Sequence, residues 1–112
     1  MIIKEKIVNG LSVLSLTGKL DIFSKNTFKD TTDKYCETGT KGLILDFHGV
    51  TFMDSVGLGI LTMVAKNFQK LRSRIILVNP QNQVKTLLLD TKLGRLVPMY
   101  HTDAAFSQFS QL

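Results

Sequence analysis

The chain has 112 residues, 44% of them hydrophobic and 21% charged, with 8 Gly, 2 Pro and 1 Cys. That is the length of one domain, able to bury about two-thirds of its unfolded surface, and it excludes a disordered tail, a collagen-like chain and a disulfide framework. The net charge of +5 raises nucleic-acid binding, but the 14 Lys and Arg are spread along the chain with one local cluster from Lys66 to Arg74, so an ordinary basic surface is expected.

Met1 to Gly10 alternates apolar and charged residues, which predicts an edge-like strand over Ile2–Val8 and no signal peptide. Asn9-Gly10 is a strong hairpin signal. Leu11–Thr17 follows as an antiparallel second strand that Gly18 ends. Ser24 or Asp21 can cap a helix reaching about Glu37, with Phe28, Thr31, Thr32, Tyr35 and Cys36 at helical spacing. Gly39 and Gly42 mark its exit. Leu43-Ile44-Leu45-Asp46-Phe47 reads as a central strand covered on both faces. His48-Gly49 reads as a turn, after which Val50 and Phe52 re-enter the core.

Asp54 is a good N-cap for a helix from Ser55 to about Leu71. Gly57, Ile60, Leu61, Val64, Phe68 and Leu71 share one of its faces, and Ser55, Gly59, Thr62, Lys66 and Lys70 share the opposite one. Arg74–Val78 is a further strand, ended by Asn79-Pro80. A third helix spans about Asn82–Asp90 and buries Val84, Leu87 and Leu88. Leu96–Tyr100 is a last strand, confined to an edge by Pro98. Thr102 can cap a short helix that buries Ala105, Phe106 and Phe109. An opening hairpin followed by βα alternation predicts a mixed α/β fold, a sheet of about five strands packed by about four helices, in one domain over residues 1–112.

The chemistry that this sequence lacks is informative. His48 and His101 are far apart, and no CxxC or HxxxH pattern calls for a metal. Gly57-Leu58-Gly59 is neither a Walker loop nor a dinucleotide fingerprint. There is no nucleophile elbow. Asp21, Asp46 and Asp54 fall near strand ends, yet capping accounts for Asp54. Cys36 reads as inert core on a helical face. No window approaches the length of a membrane span. An enzyme, a cofactor and a metal site are therefore not expected, and the cytoplasm is the expected location.

Phe52-Met53-Asp54-Ser55-Val56-Gly57-Leu58-Gly59 stands out. Ser55 sits in the first turn of its helix with its hydroxyl outward, and Gly59 leaves a bare patch one turn along the same face. Free amides and the positive end of the helix dipole there tolerate a phosphate. Such a phosphate would add a charge of about −1.5 to −2 to the surface. The plainer alternative is that Asp-Ser is a common helix start and the glycines only let helix and sheet approach.

These residues resemble a STAS domain, the fold of bacterial anti-sigma-factor antagonists. The stretch from Leu43 to Phe47, followed by Val50 to Gly59, resembles the family's central strand and its D-S-x-G-L-G signature. Gly18-Lys19-Leu20-Asp21 resembles its G-x-L-D turn, and Val84 to Leu88 with Leu93 resembles its third helix. The resemblance implies a phosphorylation switch at Ser55. The unphosphorylated form would bind an anti-sigma factor that is a GHKL-type serine kinase, the phosphorylated form would be released, and a metal-dependent serine phosphatase would restore it. The implied interface is Asp21, Ser24, Asp54, Val56, Leu58, Gly59, Thr62, Met63 and Lys66. Where the family often has a second Ser, this chain has Val56. Two other functions stand beside this one: a structural STAS subunit of a transporter or stress-signalling complex, and a nucleic-acid binder suggested by charge alone. No direct membrane insertion is expected, and neither is nucleic-acid binding.

Overall fold

The computed structural model describes residues 1–8, 10–37 and 42–100; the helix expected from Thr102, Asn9 of the hairpin and Gly39 of the helix exit lie outside the described residues. Strands β1 (Ile2–Val8) and β2 (Leu11–Leu20) pair antiparallel, with Ile2 opposite Thr17 and Val8 opposite Leu11. Pairing of Val8 with Leu11 leaves a two-residue connection, the loop length that Asn-Gly favours. A 3₁₀ turn at Ile22–Ser24 leads into α1 (Lys25–Glu37). Then come β3 (Gly42–Met53), α2 (Ser55–Lys70), β4 (Arg74–Val78), α3 (Asn82–Leu89), a second 3₁₀ turn at Lys92–Arg95 and β5 (Met99–Tyr100).

The sheet order is β1-β2-β3-β4-β5, and every pair after the first is parallel. Strand alternation splits the apolar residues between two faces. Leu14, Leu16, Leu43, Leu45, Phe47, Ile75 and Leu77 face the three helices and meet Phe28 of α1, Leu61, Val64 and Phe68 of α2, and Val84 and Leu88 of α3. Val13, Ile44, Ile76 and Val78 face the other way and are also buried. The continuous apolar runs of β3 and β4 follow from this burial on both faces.

Four expectations need correction. Gly18 does not end β2. It adopts φ +117° at an irregularity in the pairing with β3, and the strand continues to Leu20. A conformation open to glycine lets the strand kink without stopping. His48-Gly49 is not a turn, because β3 runs on to Met53 beside the extended β2, pairing Gly49 with Thr17 and Met53 with Leu20. Long-range pairing overrides the local turn signal. Phe52 consequently points outward and is 38% exposed, while Val50 and Met53 enter the core. Leu71 lies past the end of α2 and is exposed, and Ala65 takes its place on the buried face.

The last strand is also shorter than expected. Leu93 O accepts from the amides of Leu96 and Val97 at 2.8 and 2.9 Å, which holds this stretch in the turn and delays β5 to Met99. Pro98 lies just before β5, at the sheet edge, and its carbonyl accepts from Leu77 N at 2.9 Å.

One polar contact fastens the edge strand to a helix. Tyr35 of α1 donates its hydroxyl to Glu5 of β1 at 2.7 Å, and Lys34 reaches the same carboxylate at 3.5 Å. Burial, reinforced by the Glu5 hydrogen bond, pushes the Tyr35 phenol up to about 12 from an ordinary 10.0. The folded state keeps a proton that the unfolded state gives up between these values. Stability from this contact is therefore complete below about pH 10 and falls as pH rises toward 12. Urea midpoints measured from pH 9 upward should decline more steeply for the wild type than for Tyr35→Phe.

Candidate functional site

The site lies where the carboxyl ends of β2 and β3 deliver their loops side by side. Leu20 and Met53 are register partners, so the residues that follow them, Asp21 and Asp54, start their helical turns as neighbours. Each aspartate caps its own turn. Asp54 has an extended backbone, and its Oδ1 accepts from Gly57 N at 3.0 Å. Its carbonyl accepts the first helical bond, from Leu58 N at 2.9 Å. Asp21 Oδ1 accepts from Phe23 N at 3.0 Å. Ser24 closes a capping box: its hydroxyl accepts from Asp21 N at 3.0 Å and donates to Asp21 O at 3.2 Å.

The two glycines of α2 do different things. A Cβ on Gly57 would press on the carbonyl of Leu20 and come within 2.8 Å of Met53 Cγ. Only a bare α-carbon lets the first turn of α2 lie this close to the end of β2. Gly59 has nothing within 4 Å of the same position, so it faces open space. Close packing accounts for the first glycine, and an uncovered patch accounts for the second.

Around these caps the surface is apolar and open. Ser55 is exposed at the first helical position, beside Val56 at 41% exposure. From the neighbouring loop Ile22 is 56% and Phe23 93% exposed. The side chain of Lys19 on β2 stands 6.0 Å from the centre of the Phe52 ring, at the outer reach of a cation–π contact. Lys66 is exposed, and Leu58, Thr62 and Met63 are half-buried along α2. Thr62 donates its hydroxyl to Leu58 O at 2.8 Å. Ser24 is only 3% exposed, so it shapes the loop from beneath.

Sequence reasoning passed over Ile22, Phe23 and Phe52 as surface groups. An apolar pair directly after a capping aspartate was the available signal for the first two. It also missed Gln83. β4 pairs with β3 only through Asp46, so the second half of β3 has no strand on that side. Gln83 at the start of α3 fills the gap: its amide accepts from Met53 N at 3.1 Å and donates to Met53 O at 2.9 Å. Gln81 donates to His48 O at 2.7 Å. Two glutamines thus replace a missing strand and hold the backbone just before Ser55.

The glycine contrast and the cap are measurable by urea denaturation. Gly57→Ala should cost about 3 kcal/mol, the upper range for overpacking a filled site. Gly59→Ala should gain about 0.5–1 kcal/mol from helix propensity. Asp54→Ala should cost about 1 kcal/mol through the lost cap.

Comparison with known proteins agrees with this architecture. A candidate anti-sigma factor antagonist of Thermotoga neapolitana is 29% identical over 98 residues, 87% of this chain and 87% of that protein. The crystal structure of a candidate anti-sigma factor antagonist of Thermotoga maritima matches with a TM-score of 0.86 at 25% identity, over 98% of this chain and 95% of the other. The Bacillus cell fate determinant SpoIIAA, in its phosphorylated form, shares the fold with a TM-score of 0.74 at 21% identity, over 96% of this chain and 99% of the other. Residues 3–105 match the STAS domain, and with nearly the whole chain covered, this protein belongs to the STAS domain family.

Proposed function

We propose that this chain is an anti-sigma-factor antagonist switched at Ser55. In its unphosphorylated form it binds an anti-sigma factor that is also a serine kinase of the GHKL type. In the transfer step the Ser55 oxygen forms a bond to the γ-phosphorus of ATP, the bond to ADP breaks, and the hydroxyl proton passes to a base on the kinase. The phosphorylated form is released, and a metal-dependent serine phosphatase hydrolyses the ester to restore it. The catalytic groups belong to the partners, and the exchange takes place in the cytoplasm.

The observation that carries this reading is the setting of Ser55. Ser55 is exposed in the first turn of a helix whose cap is occupied by Asp54, with bare Gly59 one turn along. A kinase active site can reach it without any part of the fold moving. The amides of the first turn and the helix dipole accommodate the added charge. Ile22, Phe23, Phe52 and Val56 supply apolar contact around it, the composition expected at the centre of a binding surface. The names of the Thermotoga relatives and the phosphorylated form of SpoIIAA support the same reading.

The interface comprises Asp21, Asp54, Val56, Leu58, Gly59, Thr62, Met63 and Lys66, extended by Ile22, Phe23 and Phe52. Ser24 contributes by holding the Asp21 loop in shape.

With the cognate kinase, Ser55→Ala should bind but take up no phosphate, and Ser55→Asp should lose binding. Intact-mass measurement after incubation with kinase and ATP reads the first, and titration calorimetry reads the second. Stoichiometric phosphorylation of Ser55→Ala would refute the assignment. Phe23→Ala should weaken binding by about 2 kcal/mol, the scale of an interface hot spot, with an unchanged melting temperature.

A further inference from the structure

The surface that begins at Ser55 continues along α2 as a groove. Ser55, Leu58, Thr62, Lys66 and Gln69 follow one another at helical spacing on one side of α2. From Leu58 onward this side is one wall, and the stretch from Thr91 to Pro98 is the other. Two cavities lie end to end between them. The nearer one, about 280 Å³, is lined by Leu58, Lys66, Lys92 and Leu96, among others. The farther one, about 220 Å³, is lined by Gln69, Arg74, Arg95 and Leu96, among others. Leu96 lines both, so the two cavities adjoin at that residue along the same side of α2.

The charge of this furrow is one-sided. Lys66, Lys92, Arg74 and Arg95 line it, and no carboxylate does so among the described residues. None of the four forms an ion pair among the described residues. On the α1 side of α2 cations stand beside carboxylates: Lys29 pairs with Asp33, Lys34 pairs with Glu5, and Lys70 lines a different cavity together with Asp33 and Glu37. Lys70 therefore belongs to the α1 side of α2, and Lys66 to the furrow. Four cations with no carboxylate among the lining residues therefore stand where apolar Leu58, Leu96 and Ile75 are also on offer.

We propose that this groove binds an extended acidic segment of the protein partner that engages Ser55; the identity of that partner rests on the function proposed above. Carboxylates of the segment meet the Lys66–Lys92 and Arg74–Arg95 pairs, and its apolar side chains lie over Leu58 and Leu96. From Leu58 to Gln69 the helix rises about 16 Å. About five residues of extended chain span that distance. Two cavities in line and an apolar floor fit a chain segment better than a single small anion. The groove also gives the phosphate a second effect. A charge of about −1.5 to −2 on Ser55 stands one helical turn from Leu58, well within a Debye length of about 8 Å. It would repel an acidic segment at the mouth of the groove as well as block direct contact with the hydroxyl.

The test uses a fluorescein-labelled peptide, Glu-Leu-Glu-Glu-Leu-Glu, titrated against the whole protein by fluorescence anisotropy at low salt. The wild type should bind it. Arg74→Gln with Arg95→Gln, and Lys66→Gln with Lys92→Gln, should each weaken binding at least fivefold. Lys4→Gln with Lys6→Gln on β1 removes the same charge far from the groove and should change it less than twofold. Amide chemical shifts of the wild type should move along Leu58–Gln69 and 91–98, a readout that needs no variant to fold. Absence of binding by the wild type, equal losses in all three double variants, or shifts confined to other surfaces would each overturn the groove assignment. No kinase is present in this assay, so its failure leaves the reading of Ser55 intact, and failure of phosphorylation at Ser55 leaves the peptide result intact.

Discussion

The contact between the bare α-carbon of Gly57 and the carbonyl of Leu20 is the constraint on which the rest of the site depends. It sets how close the first turn of α2 comes to the end of β2. With Leu20 also paired to Met53, two loops from different parts of the chain are locked together at their starting residues. Any side chain at position 57 would push α2 outward and separate the Asp21 loop from Ser55. Tight helix-on-sheet packing is thus what creates a surface with residues from both loops on it.

The polar groups of this region are largely spent on backbone. Asp21, Ser24, Asp54, Gln81 and Gln83 all bond to main-chain amides or carbonyls nearby. The bonds of Ser24, Asp54 and Gln83 satisfy part-buried groups that would otherwise be costly to leave unpaired. The result is a stiff frame under a surface of exposed apolar side chains and one hydroxyl. A preordered surface loses little conformational freedom when a partner docks. Under the proposed switch, the frame stays fixed and only the charge at Ser55 changes.

The charge distribution gives the basic composition a place. The two ion pairs and the cavity shared by Lys70, Asp33 and Glu37 place cations beside carboxylates on the α1 side. On the other side of α2, four cations face a furrow with no described carboxylate. An excess spread evenly over a sphere would steer partners weakly. Four like charges lining one concave strip focus their field there.

Much of this fold was legible in the sequence because local patterns carried it. Alternation over Ile2–Val8, the apolar runs at 43–47 and 74–78, and the Asp54 cap before a helical stripe each reflect a single element's own periodicity. The D-S-x-G-L-G stretch places Ser55 at the start of a capped helix, where α2 begins. What only the tertiary structure decided depended on groups far apart in the chain. The continuation of β3 through His48-Gly49 required β2 as its neighbour, and the outward turn of Phe52 followed from it. Gln83 acquired its role from a strand too short to reach Met53. The division of labour between Gly57 and Gly59 depended on where Leu20 lies, which no spacing within α2 encodes. Periodicity reports which face of an element is apolar; what that face, or its opposite, meets is set by packing between elements.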